Sequence, residues 1–255
     1  MSEEITQFRL MTYNIHKGIG GVDRRYSLLR IIEVIRHYQP DIVFLQEVDD
    51  GVPRSQHHRQ VDMLTEALGF RHATYQKNVS VKRGHYGNAI LSRFPMEEAQ
   101  DLDLTISIKK RRRALITSIR IPGFSDDRPV FLCNTHLGLS GFERRLQIRR
   151  ILAFRGLLDL QPRTPVIVGG DFNDVWLEHG RKLMFPSGFE CAVSRAKTFP
   201  AVLPVRSLDA IYFRGDMTLQ SSFAGRIKLA RQASDHLPVI ADFALSNHTV
   251  SESSR

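Results

Sequence analysis

The sequence contains little of what marks secreted, disulfide-stabilised or membrane-spanning proteins. It has 2 cysteines in 255 residues, too few for a disulfide framework, and Cys133 and Cys191 are most simply interpreted as reduced thiols of a cytoplasmic protein. No uninterrupted apolar run approaches the roughly 20 residues that a membrane-spanning helix needs. The first residues, MSEEITQF, include two acids and no basic or apolar signal region, so they predict no secretion signal.

Internal repeats, low-complexity tracts and long Gly/Ser-rich linkers are also missing. The hydrophobic content of 42% and charged content of 25% are ordinary for a globular protein. The length permits one large domain or two small ones. We predict a single domain over residues 1–245, followed by a flexible, serine-rich tail over residues 246–255, and we expect a monomer.

Basic residues exceed acidic ones. There are 36 Lys and Arg against 27 Asp and Glu, a net charge of +9. The excess is concentrated in Lys109–Arg113 and in the stretch from Arg144 to Arg155. A basic protein attracts nucleic acid or an anionic lipid surface, but a solvated basic face without a partner is also common. The charge alone leaves these alternatives open.

Short β-branched or apolar runs bounded by Gly, Pro, Asp or Asn are typical of strands. They predict strands at residues 9–15, 41–46, 88–92, 114–121, 130–135, 166–169, 208–213 and 237–243. Apolar residues at helical spacing predict three helices, over 27–38, 61–68 and 142–160. Strand often follows strand without an intervening helix, which disfavours a doubly wound parallel sheet. We therefore predict an α/β (α+β) fold with two mainly antiparallel sheets packed face to face and helices outside.

Polar residues at the ends of apolar runs are candidates for function, because catalytic groups lie on loops held by a rigid scaffold. Asn14 ends the first strand and is either a phosphate- or metal-orienting amide or a turn-forming residue. Glu47 follows a buried run, where a carboxylate is costly unless it is paired or binds a metal; the alternative is an exposed edge. His136 follows the strand over 130–135, and a lone histidine is more often structural.

The segment Gly169-Gly170-Asp171-Phe172-Asn173 is a stronger signal. Asp171 and Asn173, two residues apart, can point the same way from an extended segment, although an Asx turn before a helix near Trp176 is the alternative. Further along, Asp209 lies in LDAI, and Asp235 and His236 lie in SDHLP. An aspartate that fixes a histidine tautomer is a recurring catalytic device. Asp209 and His236 could form such a pair if their strands are neighbours.

Taken in order, the motifs TYNI, LQEV, NTHL, GGDFN, LDAI and SDHLP resemble the endonuclease/exonuclease/phosphatase superfamily. That superfamily includes pancreatic-type DNases, exonuclease III-type repair enzymes, inositol polyphosphate phosphatases and neutral sphingomyelinases. The resemblance spans Asn14 to Pro238, and GNAILSRFP from Gly87 is similar to the family's central strand. More narrowly, the chain resembles small bacterial members related to the catalytic domain of GPI-anchor-remodelling proteins.

The resemblance implies a four-layer αββα sandwich of two mixed sheets flanked by helices, with Mg²⁺ or Mn²⁺ as cofactor. Glu47 would be the principal metal ligand, with Asn14 and Asp235 near the metal. The catalytic set would be His136, Asp171, Asn173, Asp209 and His236. In that set Asp171 orients or deprotonates the attacking water, Asn173 positions water and phosphate, and His136 holds a phosphoryl oxygen. His236, oriented by Asp209, would act in proton transfer or transition-state stabilisation.

These assignments predict a metal-dependent phosphoesterase that hydrolyses a phosphodiester. Oxygen ligands suit a hard cation, and the absence of a Cys/His cluster disfavours structural zinc. We expect Asn88 and Arg113 to bind substrate. Nucleic acid is the first-choice substrate because of the basic clusters; the alternative is a phospholipid or lipid-headgroup phosphoester at an anionic membrane surface. A binding module that has lost catalysis is disfavoured by the complete polar set. The chain departs from the resemblance in one respect: some nucleases of the family use an extra acid to orient the first histidine, no clear candidate is evident in this sequence, and Tyr86 lies near where that acid would fall.

Overall fold

The structure, a computed structural model, describes residues 6–106, 110–124, 129–175, 178–193 and 196–246. In chain order the strands are β1 (Thr6–Asn14), β2 (Ile42–Asp50), β3 (His72–Ser80), β4 (His85–Ser92), β5 (Gln100–Asp103), β6 (Arg113–Ile119), β7 (Val130–His136), β8 (Val166–Asp171), β9 (Glu190–Cys191), β10 (Asp209–Arg214), β11 (Met217–Ala224) and β12 (Val239–Leu245). The helices are α1 (Leu28–Tyr38), α2 (Gln60–Leu68), α3 (Gly141–Leu152), α4 (Arg155–Leu158), α5 (Glu178–Met184) and α6 (Lys228–Ala233).

The strands form two six-stranded sheets. The first has the order β11-β12-β1-β2-β4-β3 and the second the order β5-β6-β7-β8-β10-β9. Both sheets are mixed, because β1 pairs with β2 in parallel and β7 pairs with β8 in parallel, while the other pairings are antiparallel. Each sheet therefore has a parallel pair near its centre, and the carboxyl ends of the four strands in these pairs carry polar residues.

Three groups of buried side chains show how the layers stack. One group lies between the sheets and includes Leu10, Phe44 and Ile211. A second joins the outer face of the first sheet to α1, α2 and α6, and a third joins the outer face of the second sheet to α3, α4 and α5. Central strands such as β1 and β8 are buried on both faces, which explains their continuous apolar runs. The predicted four-layer αββα sandwich is confirmed.

All eight predicted strands are present, although β2 continues to Asp50. Four strands were not predicted, namely β3, β5, β9 and β11, and each lies at the edge of a sheet. An edge strand meets solvent on one side and is commonly polar. The β3 sequence HATYQKNVS and the β11 sequence MTLQSSFA show why no apolar run marked them.

Two of the three predicted helices, α1 and α2, are confirmed to within one residue at each end. The third was wrong as a single helix over 142–160. It begins at a Ser140–Glu143 capping box and ends at Leu152, and α4 begins at Arg155. The cause is Phe154, whose extended backbone, φ −67° and ψ 124°, interrupts the helix. Its ring packs on the third group of buried side chains.

Several sequence predictions concern residues outside these ranges. Residues 247–255 of the predicted tail, Lys109 of the basic cluster and Trp176 are not among the described residues, and the domain boundary at residue 245 stays a prediction. Within the described ranges, no helix is long and apolar enough to cross a membrane. Cys133 and Cys191 are both free, Cys133 being buried.

Candidate active site

The end of β7, the end of β8 and the start of β10 place three polar residues in one row of the second sheet. His136 of β7 is opposite Asp171 of β8, and Asp171 is opposite Asp209 of β10. Gly170 permits this close pairing: its φ is +139°, and a Cβ there would lie 1.9 Å from the carbonyl oxygen of Thr135. Any other residue would force β7 and β8 apart just before the row begins. The GGD sequence therefore positions the central carboxylate of the site.

The first sheet contributes Asn14, at the end of β1. Its Nδ2 donates to Oδ2 of Asp171 across the gap between the sheets, at 3.0 Å. Its Oδ1 accepts from the backbone N–H of His16 at 3.0 Å, and its carbonyl accepts from the Ser234 hydroxyl at 2.8 Å. Asn14 is thus a turn residue that also contacts Asp171 directly, and its role towards phosphate or metal stays a prediction.

Below this contact a buried amide joins the two sheets. Asn134 of β7 donates to the carbonyl oxygens of Leu45 and Ala89 in the first sheet, at 2.9 and 2.8 Å. Its Oδ1 accepts from Nε2 of Gln46 at 2.8 Å. Because buried polar groups are costly when unpaired, these bonds fix the two sheets relative to each other beneath the site.

His236 and Asp209 form a buried pair. The Nδ1 atom of His236 lies 2.9 Å from Oδ2 of Asp209, and its Nε2 lies 3.8 Å from Oδ2 of Asp171. The sequence made this pair conditional on neighbouring strands; the two side chains meet across the sheets instead, because β10 and β12 belong to different sheets. Among the described residues Oδ1 of Asp209 is buried without a hydrogen-bond partner. The ring of Phe199 packs 5.0 Å from the imidazole.

Glu47 lies in a β-bulge. The pairing of β2 with β4 shifts register between Leu45 and Val48, and Glu47 has a φ of +56°. A bulge re-aims a side chain, and a non-glycine residue at positive φ is held there by its surroundings. The Glu47 carboxylate forms an ion pair with the Lys17 ammonium, and its side chain is 17% exposed. Glu47 is therefore neither an exposed edge residue nor unpaired.

Asp235 and Asn173 border this row. Oδ1 of Asp235 lies 3.7 Å from Nδ1 of His16, and its side chain is partly exposed. The backbone N–H of Asn173 donates to Oδ1 of Asp171 at 2.9 Å, which is the Asx turn considered as an alternative. The Asn173 side chain donates to the carbonyl of Leu137 at 2.9 Å. That bond fixes the orientation of the side-chain amide of Asn173. The backbone of Asn173 has a φ of +51°.

The two residues predicted to bind substrate are held by protein contacts. Asn88 is fully buried, and its Nδ2 donates to Gln76 at 3.3 Å and to the carbonyl of Arg113 at 3.2 Å. The Arg113 guanidinium pairs with Asp101 at 3.0 Å. Substrate binding by these side chains stays a prediction.

Burial and neighbouring charges shift the acid–base groups of the site. Burial raises the pKa of Asp171 to about 6, with His236 acting against that rise. Burial lowers the pKa of His236, but the carboxylates of Asp209 and Asp171 outweigh it and raise that pKa to about 10. Burial and the Arg112 guanidinium lower the pKa of His136 well below its ordinary value. At neutral pH the two histidines therefore differ, His136 being neutral and His236 cationic.

The pKa of Glu47, the carboxylate in the β-bulge, is shifted in the opposite direction to the pKa of Asp171. Burial would raise the pKa of Glu47, but His136 and Lys17 lower it to about 2. It is thus an anion at any ordinary pH. A separate group of donors, one atom each from Asp171, Asp209 and His236, lies within 4.8 Å and could hold a metal ion. That group shares no residue with the predicted ligands Asn14, Glu47 and Asp235.

Sequence reasoning missed Lys17 and Arg112 as residues of this site. Lys17 lies three residues after Asn14 in TYNIHKG, and a signal was available there, since a basic residue beside a strand-end amide suggests an anion or a carboxylate partner. Arg112 was included only as one member of a basic cluster. Nothing in its spacing separated it from Arg111 or Arg113, because its burial, with 8% of the residue exposed, is a property of the tertiary structure.

The chain matches the model of the Endonuclease/Exonuclease/phosphatase family over residues 11–236. It is 30% identical over 253 residues to the Uncharacterized protein YbhP of Escherichia coli strain K12, covering 93% of this chain and 96% of that protein. It is 23% identical over 270 residues to Tyrosyl-DNA phosphodiesterase 2 of Xenopus tropicalis, covering 95% of this chain and 68% of that protein.

The fold is also that of solved structures. The crystal structure of an endonuclease/exonuclease/phosphatase from Beutenbergia cavernae superposes with a TM-score of 0.77 at 22% identity, over 94% of this chain and 72% of that one. At this identity the likeness concerns the arrangement of strands and helices. It agrees with the two mixed sheets and the flanking helices described above.

Proposed function

The chain belongs to the Endonuclease/Exonuclease/phosphatase family, whose enzymes hydrolyse phosphoester bonds, and we propose that it hydrolyses phosphodiesters of DNA or RNA with the help of Mg²⁺ or Mn²⁺. The observation that carries the proposal is the meeting of Asn14, His136 and His236 around one oxygen of Asp171. Their nitrogen atoms lie 3.0, 3.4 and 3.8 Å from Oδ2. Donors from both sheets thus surround a buried carboxylate at the end of a rigid scaffold.

Family enzymes typically depend on a divalent metal, and the side chains of this site fit one. The donors are carboxylate and amide oxygens, which a hard cation prefers. Glu47 is an anion whose present partner is the Lys17 ammonium, so the place beside it already accepts a positive charge. We assign the cation to Glu47, Asn14 and Asp235, the ligands that the family resemblance implies; in the alternative group Oδ2 of Asp209 is hydrogen-bonded to His236. When bound, a divalent cation neutralises the charge of the phosphate.

The other catalytic roles are assigned to side chains of the site. Asp209 fixes His236 so that its Nε2 faces Asp171 and can donate to a phosphoryl oxygen. His136, on the other side of Asp171 in the row, donates to a second oxygen. Asp171 orients the attacking water and Asn173 positions it beside the phosphate. Such preorganised donors act where charge develops in the transition state.

Nucleic acid is the proposed substrate because the site is bordered by basic residues. Lys17 contacts Glu47 directly, and Arg112 is close enough to His136 to shift its pKa. A phosphodiester chain is a polyanion and is attracted by such a surface. The name of one relative, Tyrosyl-DNA phosphodiesterase 2, describes a phosphodiesterase whose substrate contains DNA.

A lipid phosphoester is the second candidate, and a specific observation favours it. Val202, Leu203 and Val205 are 52, 72 and 50% exposed and follow Phe199, which packs against His236. Val202 also lines a cavity of about 420 Å³ whose wall includes Lys228 and Arg231. Exposed aliphatic residues beside cations are typical of a surface that contacts anionic membrane.

One experiment separates the two candidates. Purified protein would be incubated with DNA and RNA oligonucleotides and with vesicles containing phosphoinositides and phospholipids, each with Mg²⁺ or Mn²⁺. We expect oligonucleotide cleavage, and we expect its loss in Asp171→Asn protein purified in the same way, which controls for contaminating nucleases. Hydrolysis of vesicle lipids alone would transfer the function to the second candidate. Cleavage of neither class would contradict the proposal.

A further inference from the structure

Cations are gathered around one aromatic ring beside the site. Tyr86 lies in β4 and is 7% exposed. Its ring centre is 5.0 Å from Nζ of Lys110, 5.3 Å from the Arg54 guanidinium and 5.8 Å from Nζ of Lys17. Each distance is within the range of a cation–π contact. Three like charges around a single ring repel one another, so their grouping needs anions nearby.

Only part of this charge is neutralised by the protein. Arg54 makes two bonds to the buried carboxylate of Asp49, at 2.7 and 2.9 Å, and Lys17 pairs with Glu47. Within the ranges that the structure describes, neither Lys110 nor Arg112 forms an ion pair. Lys110 and Arg112 are therefore cations without an anionic partner among the described residues, and they lie near two cations that are paired, Arg54 and Lys17.

Arg112 is the more informative of the two. It is 8% exposed and directly precedes β6, whose Ala114 pairs with Thr135, the neighbour of His136. Burial is the main cause of the low pKa of His136. The positive charges of Arg112 and, to a lesser extent, Lys110 lower that pKa further. A nearly buried cation without a counter-ion is costly. It is also preorganised to bind an anion supplied from outside.

The order of the strands shows on which side of the proposed reaction centre these cations lie. In the second sheet, β6 lies beyond β7 on the side away from β8 and β10. In the first sheet, β4 with Tyr86 lies beyond β2 on the side away from β1. Both sheets thus place Tyr86 and the segment that contains Lys110 and Arg112 on the far side of His136 and Glu47 from Asp209 and His236.

We propose that Lys110 and Lys17 beside Tyr86, together with Arg112 beside His136, form a second phosphate subsite, which binds the phosphate adjacent to the scissile one in a nucleic-acid strand. The inference rests on the proposed function, because it places the scissile phosphate beside Asp171, between His136 and His236. It goes beyond that function in naming a substrate with two phosphates in succession. A lone phosphodiester would leave the subsite empty.

Binding can be measured without turnover. Isothermal titration calorimetry in the presence of Mg²⁺ would compare thymidine 3′,5′-bisphosphate with thymidine 5′-monophosphate. Since charge-assisted hydrogen bonds are the strong ones, we expect the bisphosphate to bind the native protein about tenfold more tightly, which corresponds to roughly one bond to a charged group. Lys110→Gln should reduce this ratio several-fold, and Arg112→Gln should bring it close to one.

Arg155→Gln is the matched control. It removes the same charge from α4, where the Arg155 side chain is 89% exposed, and should keep the native ratio. If circular dichroism shows that Arg112→Gln does not fold, the exposed Lys110 decides the outcome. Equal affinity of the native protein for the two nucleotides, binding of neither, or a native ratio in Lys110→Gln would overturn the subsite. Oligonucleotide cleavage, measured separately, would survive that result, so failure of the subsite is distinct from failure of the proposed function.

Discussion

The Nδ1 atom of His236 lies 2.9 Å from Oδ2 of Asp209, although the two residues adjoin strands of opposite sheets. Both side chains are buried. An aspartate in this position fixes the ring orientation and directs Nε2 towards Asp171. The pair is thus an element of the candidate site that forms only when the two sheets are packed together.

Asp209 and His236 should therefore act as one unit in catalysis. We expect Asp209→Asn and His236→Ala each to lower kcat/KM by on the order of 10² or more. The double variant should be little worse than the worse single variant, since residues that act together show non-additive losses. The measurement is steady-state kinetics on a nitrophenyl phosphodiester, after circular dichroism has established that all three variants fold. Fully additive losses would show that the two residues act independently.

A glycine in the GGDFN motif should be indispensable for stability. In Gly170→Ala the new Cβ would meet the Thr135 carbonyl at 1.9 Å, and the residue has a φ of +139°. Overpacking of this kind costs about 1–3 kcal/mol or more, and the positive φ adds strain. We expect the free energy of unfolding, measured with urea, to fall by about 3 kcal/mol or more.

Gly69→Ala is the control for that variant. Gly69 also has a positive φ, of +67°, but nothing lies within 4 Å of the position of its Cβ. It should cost only about 1 kcal/mol, the usual penalty for a non-glycine residue in this conformation. Similar losses in the two variants would mean that the close approach of β7 and β8 is not needed.

The pair Arg9–Asp242 should make stability depend on pH. The Arg9 guanidinium bonds both oxygens of Asp242, at 2.6 and 3.1 Å, and with Ser221 it lowers the pKa of that carboxyl below its ordinary value of 3.8. The folded state thus favours the ionised form. Its stabilising effect is present above about pH 4 and is lost as the pH falls through the lower folded-state pKa.

Asp242→Asn should accordingly lower the free energy of unfolding at pH 7 by no more than about 1 kcal/mol, because both side chains are partly exposed and screened. The difference from the native protein should shrink as the pH is lowered from 5 towards about 2. Urea denaturation at several pH values gives both curves. A difference that stays constant with pH would assign the loss to packing instead of the ion pair.

The residues of the site were predictable where a short polar motif follows an apolar strand. Asn14, His136 and Asp171 each come at the end of a strand, and Glu47 follows the apolar run of β2. The central strands are marked by such runs because they are buried on both faces. The edge strands were not predictable in this way, because half of their surface meets solvent and their sequences are polar.

Relations between distant residues could not be predicted from local patterns. The bulge that turns Glu47 depends on its pairing with β4, and its contact with Lys17 depends on the left-handed backbone at Lys17, φ +64°. The burial of Arg112 beside His136 likewise depends on how β6 pairs with β7. Each is a consequence of packing between elements that are far apart in the chain.

The most direct test of the account is the hydrolysis of a nitrophenyl phosphodiester by native protein and Glu47→Gln after removal of metal with EDTA. We expect the stripped native protein to be inactive and Mg²⁺ or Mn²⁺ to restore it. Glu47→Gln, which keeps the shape of the side chain but loses its charge, should need a much higher metal concentration and recover only a small part of the rate. Full turnover by rigorously metal-free native protein, or the same metal dependence and rate in Glu47→Gln, would contradict the account.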